Sequence, residues 1–257
     1  MTAPRKTKSV IWSEYPLLIS TIVFLAVYVL LFEFVLLENE VLPKPSLLLE
    51  SFPALISDYN LLGEMAVTTT IIYMSIFLAY IFILFFAPVL INISLNYDGL
   101  FNGLKIFRYF PAFFYAILFA FWFPFSIAAE FFFALIASIF FLGLIIFQNI
   151  KKTRPEYINV ALNLGVPEKQ IYKDVVWKCV QPELFHSLIK LHYYLWILVL
   201  IYEFIGTDAG FGFLYSLLLE YHDFAALFAV AISISVLIWF GNILLKYFDN
   251  KLIYWEP

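Results

Sequence analysis

Long apolar runs alternate with short polar breaks along this chain, and six of the runs approach the length of a bilayer crossing. They fall at roughly 16–37, 66–91, 109–129, 131–150, 188–206 and 224–245. A helix needs about 20 apolar residues to cross the hydrocarbon core. Residues 65–97 hold no charged side chain, so the far end of the second run is blurred. The fifth run carries Lys190 near its start and Glu203 near its end. Lys190 can lay its stem along apolar surface and keep its ammonium in water. The first run is too long for a signal-peptide core and no small-x-small site follows it, so it reads as a mature helix.

Composition agrees with this pattern. Apolar residues make up 64% of the 257 positions, and mean hydropathy is +0.93. Soluble domains average about 45–50% apolar residues, so one water-exposed globule could not hide this surface. The sequence predicts an all-α polytopic membrane protein with six transmembrane helices, organised as a single membrane domain over residues 1–257. Cys179 is the only cysteine, which excludes an intrachain disulfide. It reads as inert filler.

The net charge of -4 says less than where the charges sit. Fourteen of the fifteen Lys/Arg fall on one side of the membrane if both termini are cytoplasmic; only Lys44 falls on the other. Short cytoplasmic loops are enriched in Lys/Arg. Seven of the fifteen lie between residues 151 and 190. The 151–187 loop is therefore placed in the cytoplasm, where a soluble partner can meet it.

That loop reads as two helices at an angle. The first covers 156–164, and Gly165 is placed to end it with a positive φ. Pro167 suits the first turn of the next helix, and Glu168 suits its positive end. The second helix runs toward Pro182, where the chain approaches the membrane again. The pattern fits a mechanical lever and an ordinary connector alike. In the first outer loop, Leu42-Pro43-Lys44-Pro45-Ser46 disfavours helix at its prolines. Ser46 can cap a short helix after it. Leu48, Phe52, Leu55 and Ile56 would share one face of that helix, and Pro53 would kink or shorten it. A helix lying along the membrane surface and a plain connector both fit.

Catalytic constellations are absent from the sequence. No G-x-x-x-x-G-K-[ST] occurs, so the chain has no phosphate-cradling loop of its own. His186, His192 and His222 share no metal-binding spacing with each other or with Cys179, and each reads as a satisfied polar contact. No metal, cofactor or nucleic acid is expected. Acids close to the membrane are functional candidates by default. Glu33 lies within reach of headgroups, and Glu130 is expected in a water-accessible turn between spans 3 and 4. Glu203 is the better candidate, open between a functional role and a structural hydrogen bond to a neighbouring helix.

Five partial motifs, in order and on consistent sides of the membrane, carry a family resemblance. Leu42, Pro43, Pro45 and Ser46 match an outer-loop Leu-Pro-x-Pro-Ser. Arg108, Pro111, Trp122 and Phe123 match the two ends of the third span. Ala161, Gly165, Val175 and Pro182 match a cytoplasmic Glu-Ala-Ala-x-x-x-Gly signature and the segment after it. Glu203, Gly210, Phe211, Gly212 and Phe213 match an acid-turn-Gly-x-Gly pattern. Trp255 matches a closing Trp. From about residue 42 to 255 the chain resembles the permease subunit of a bacterial ABC importer, in the nitrate/sulfonate/taurine branch of the binding-protein-dependent systems. It departs from the pattern where Asn159 and Val160 replace the signature Glu and Ala, and where Trp177 and Lys178 replace Leu-Pro. Pro124 and Ser126 likewise replace glycines.

The resemblance implies a type I importer permease in the bacterial plasma (inner) membrane, itself not an enzyme. Two permease chains, identical or different, would form one pore. Separate ATP-binding ABC ATPase subunits would receive the loop through Asn159, Ala161, Gly165, Val175 and Pro182. An extracytoplasmic substrate-binding protein would deliver substrate, with 207–223 open between a contact for it and a solvated loop. Arg108, Pro111, Trp122 and Glu203 would border the translocation pathway. The departures leave a competing reading, a non-transporting membrane scaffold or the degenerate half of a heterodimer. Nitrate fits poorly, because the spans offer only Arg108 and Lys190 as cations, near the cytoplasmic edge.

Overall fold

The computed structural model of the chain describes residues 9–36, 41–96, 111–150, 155–167 and 170–252. All its regular structure is helical. Helix α1 (Ser9–Leu30) continues as a π-helical turn to Val35. Then follow α2 (Pro45–Ser57), α3 (Leu61–Asn96), α4 (Ala112–Trp122), α5 (Ile127–Ile150) and α6 (Pro155–Asn163). A π-helical segment (Ile171–Val176) leads into α7 (Trp177–Gly206), then α8 (Phe211–Glu220) and α9 (Phe224–Leu252).

Four helical stretches are long and apolar enough to cross a membrane: Leu61–Ile93, Ile127–Ile150, Ile171–Gly206 and Phe224–Leu252. The first and third expected spans appear as shorter apolar stretches, Ile19–Val35 and Ala112–Trp122. Helix α4 has 11 residues, about 16 Å at the usual rise, against a core about 30 Å thick. The run expected at 109–129 is thus divided. Pro124 is the cause: a residue before proline is pushed out of the helical region, and Phe123 stands at φ -132, ψ 62. Phe125 follows at φ 58, and its N–H is accepted by the Gly206 carbonyl at 2.6 Å.

Helix α7 is the central strut. It packs against α3, α4, α5, α8 and α9, which accounts for its dense run of buried residues, Leu184, Leu188, Leu191, Leu195 and Val199 among them. Ridges of Ile and Ala on α3 (Ile72, Ala79, Ile83, Ala87) fill the seam against α5. Gly206 rests directly on Ala120 of α4. Outward faces remain strongly apolar, as lipid contact requires: Phe85, Phe121, Phe132 and Trp239 are all exposed.

Two local expectations change. Helix α2 starts one residue before Ser46, with Lys44 as N-cap and Pro45 in the first turn. Ser46 instead donates its N–H to Glu33 at 3.2 Å. Leu48 and Leu55 are buried, but Ile56 is exposed and Pro53 sits inside the helix without ending it. Nor does Pro182 interrupt α7, which runs through it from Trp177 to Gly206. The proline is buried among its neighbours, and packing holds the helix where local propensity would break it.

Candidate functional site

At one end of the bundle the N-terminus of α8 is plugged into side chains from two other helices. A helix start leaves backbone N–H groups without intrahelical partners. Here Gly210 donates to a carboxylate oxygen of Glu64, Phe211 to Thr68 Oγ1 at 2.8 Å, and Gly212 to Glu203 Oε2 at 2.8 Å. Thr68 in turn donates its hydroxyl to Glu203 Oε1 at 2.7 Å. Glu64 and Thr68 are four apart on α3, so they share a face. Glu203 comes from the last turn of α7. Thr207 completes the corner, donating to the Glu203 carbonyl at 3.1 Å.

The arrangement is an anchor for charge. Glu203 is 1% exposed, and its carboxylate faces the positive end of a helix dipole and two hydrogen-bond donors. The glycines make it possible. Gly210 adopts φ 95, and a Cβ there would run into the Glu203 carboxyl. A Cβ at Gly212 would press on Glu203 Cβ at 2.6 Å. Sequence reading ranked Glu203 first among the acids and matched the two glycines, but it missed Glu64 and Thr68. Their signal was an acid and a threonine at helical spacing on the otherwise uncharged start of α3.

Glu130 corrects a sequence expectation. It lies in the first turn of α5 rather than in a wetted turn, it is fully buried, and apart from the facing Glu203 carboxyl its oxygens meet no hydrogen-bonding group among the described residues. Its nearest electrostatic neighbour is Glu203. The burial arises because α4 and α7 close over the start of α5.

The residues grouped as bordering a pathway occupy different places. Pro111 is the N-cap of α4 and Trp122 its last residue, so they sit at opposite ends of that helix; both are exposed. Glu203 is buried in the α8 anchor. Arg108 lies outside the described residues, as does Trp255.

The charged loop forms the other candidate region. Helix α6 ends at Gly165, which has φ 75. Val166 donates to the Ala161 carbonyl at 3.1 Å and Gly165 to that of Leu162 at 2.9 Å, the paired bonds of a Schellman stop. This matches the expected end. Pro167 is described but Glu168 is not. Ala161 is buried, whereas Asn159, Val160, Leu162 and Leu164 are exposed. The helix thus turns one side to the π-helical segment it packs against and leaves an apolar side open. Val175 is half-buried in that segment, followed by buried Val176.

Of the histidines, His186 makes the expected polar contact, while His192 is paired at Nε2 only and its buried Nδ1 has no partner among the described residues. His186 on α7 meets Asp249 on α9 at 2.7 Å. His192 accepts from Trp196 Nε1 at 2.9 Å and lies 3.1 Å from the Tyr73 hydroxyl. No metal-holding group of three His, Cys, Asp or Glu occurs among the described residues.

Sequence comparison is consistent with this architecture. Residues 75–254 match the family described as binding-protein-dependent transport system inner membrane component. The match covers more than half of the chain, and the chain belongs to that family. It is an integral-membrane permease component of a binding-protein-dependent ABC transporter, a class that works with an ATPase and a substrate-binding protein. No curated protein matches the sequence.

Proposed function

We propose that this chain forms one half of the translocation pathway of a bacterial inner-membrane importer, crosses the membrane six times with both termini in the cytoplasm, and is driven by ATPase subunits docked on the 156–181 loop. One observation carries the reading. The loop helix α6 is closed by the Gly165 stop, packs on the π-helical segment, and that segment runs unbroken into α7. The stretch from Ile171 to the end of α7 is 36 residues long and ends in the Glu203 anchor. A push on α6 is therefore passed along one continuous helix to α8 at the opposite end. Asn159 and its exposed apolar neighbours Val160 and Leu164 are the docking face; Ala161, Gly165, Val175 and Pro182 keep that face in register with the strut.

ATP hydrolysis is assigned to a separate subunit, since the sequence lacks a phosphate loop. The nitrate/sulfonate/taurine branch is the subfamily the sequence motifs favour. The test is a mild-detergent pull-down of the tagged chain from its native membrane, with crosslinking from the 156–181 loop. Retention of an ATPase crosslinked to that loop supports the importer. A complex without one moves a non-transporting scaffold ahead. Intact mass of the retained permease chains separates a homodimer from a heterodimer.

A further inference from the structure

Two lateral clefts of similar size open on the membrane-spanning part of the chain, and they differ in chemistry. One, of about 520 Å³, lies between α3 and α5 and is lined only by Leu, Ile and Phe side chains. Such a surface suits a lipid acyl chain. The other, of about 500 Å³, lies between α4, α5 and α7. It carries two phenols, Tyr115 and Tyr194, among aromatic walls.

The second cleft has the character of a ligand site. Small-molecule sites of roughly 300–1,000 Å³ are mostly apolar and aromatic, with a few polar groups that fix orientation. Phe141 and Tyr194 stack at 5.7 Å with 29° between their planes, forming one wall. Phe119 and Phe133, 5.4 Å apart, form another. Tyr115 and Tyr194 come from different helices and both line the cleft. No partner for the Tyr194 hydroxyl falls among the described residues. A hydroxyl among apolar walls without a hydrogen bond is costly, and a polar edge relieves that cost where an acyl chain does not. None of the lining residues is charged, so a bare anion would lose its hydration here without gaining a counter-ion.

We infer that the α4–α5–α7 cleft receives a flat, uncharged aromatic ring with a hydrogen-bonding edge, and that this ring is the transported group. The second half of this inference rests on the importer reading above. The ring lies against the Phe141–Tyr194 wall, and its edge meets the Tyr194 hydroxyl.

The test is equilibrium binding of lumichrome, an uncharged fluorescent tricycle, to the full chain in lipid nanodiscs, with empty nanodiscs as blank. Saturable binding above the blank is expected. Tyr194→Leu should weaken it about tenfold, the loss of a stacking wall and one hydrogen bond. Tyr194→Phe keeps the wall and should weaken it about threefold. Ala137→Phe fills the cleft without removing any group and should abolish binding, which guards against a misfolded Tyr194 variant. Nitrate and taurine should not displace the probe. Binding no greater than the blank, binding indifferent to these substitutions, or displacement by nitrate or taurine would overturn the inference. So would native mass spectrometry showing a phospholipid held by the parent chain and lost in Ala137→Phe. The importer reading fails separately, through absence of an ATPase in the pull-down; with an ATPase retained and no probe bound, only the ring assignment falls.

Discussion

Glu203 Oε2 accepts the Gly212 N–H at 2.8 Å, and that bond joins the last turn of the central strut to the first turn of the helix after it. The two residues are nine apart, separated by a tight corner, so the bond fixes the angle at which α8 leaves α7. Replacing Glu203 by Gln puts an NH₂ group against two existing donors, the Gly212 N–H and the Thr68 hydroxyl, with the Glu130 carboxyl beside it as an acceptor. A buried charge-assisted hydrogen bond is worth about 1.5–3 kcal/mol. Glu203→Gln is expected to destabilise the purified protein by about 2 kcal/mol in a denaturant titration and to lower uptake. Unchanged uptake would retire Glu203 from any part in transport.

Thr68→Val removes a donor to Glu203 and an acceptor for Phe211 in one step, while keeping the side chain's shape. It should cost about as much as Glu203→Gln, and the double variant should cost less than the two losses summed, because residues of one network couple. A double-mutant cycle on unfolding free energy measures this. Additive losses would mean that the two residues act independently.

The glycines provide a contrast within one protein. Gly210→Ala places a Cβ against the Glu203 carboxyl at a positive φ, which should destabilise by more than about 1 kcal/mol. Gly143, mid-helix in α5, has nothing within 4 Å of its built Cβ. Gly143→Ala should be neutral or stabilise by up to about 1 kcal/mol through helix propensity. Thermal melts of the two variants side by side decide the point.

Gly165 tests the loop. A Cβ there meets nothing within 4 Å, so the only penalty is the backbone conformation at φ 75. Asn, which tolerates that region, should preserve uptake. Val or Pro should abolish it while leaving the protein in the membrane at normal level, as read by quantitative blotting of membrane fractions. Normal uptake with Gly165→Val would sink the lever.

Glu130 is a buried carboxyl whose one polar neighbour among the described residues is another carboxyl, that of Glu203, and such groups cost stability. Glu130→Met, similar in length and apolar, is expected to raise stability by about 1–3 kcal/mol, measured by melting temperature in detergent. A fall in stability would show that the acid is held by an interaction the apolar side chain cannot replace.

The Schellman stop at Gly165 was legible because it is local: an amphipathic helix, a glycine and a proline two residues on. The apolar character of α3, α5, α7 and α9 was legible for the same reason, since lipid contact imposes composition residue by residue. What was not legible depends on neighbours distant in sequence. Pro182 reads as the point where the loop helix meets the next span until it is seen buried inside one continuous helix. Glu130 reads as wetted until α4 and α7 cover the start of α5. Glu64 and Thr68 look like ordinary polar residues at a helix entrance until Gly210 and Phe211, over 140 positions later, turn their N–H groups toward them. Pro124 was visible as a departure, but its effect, cutting one expected run into a short helix and the start of another, was not drawn from the pattern.

The π-helical segment from Ile171 to Val176 amounts to one residue more than a regular helix would use over the same stretch. Removing any one residue between 171 and 176 would let the strut close into ordinary α-helix. Everything after Trp177 would keep its place in the bundle, while everything before Ile171 would swing about 100° around the helix axis and move about 1.5 Å along it. Helix α6 would then present a different side to its surroundings with its own sequence intact. The orientation of the loop is thus set by chain length as much as by side-chain identity, and a single-codon deletion would re-aim it where no point substitution could.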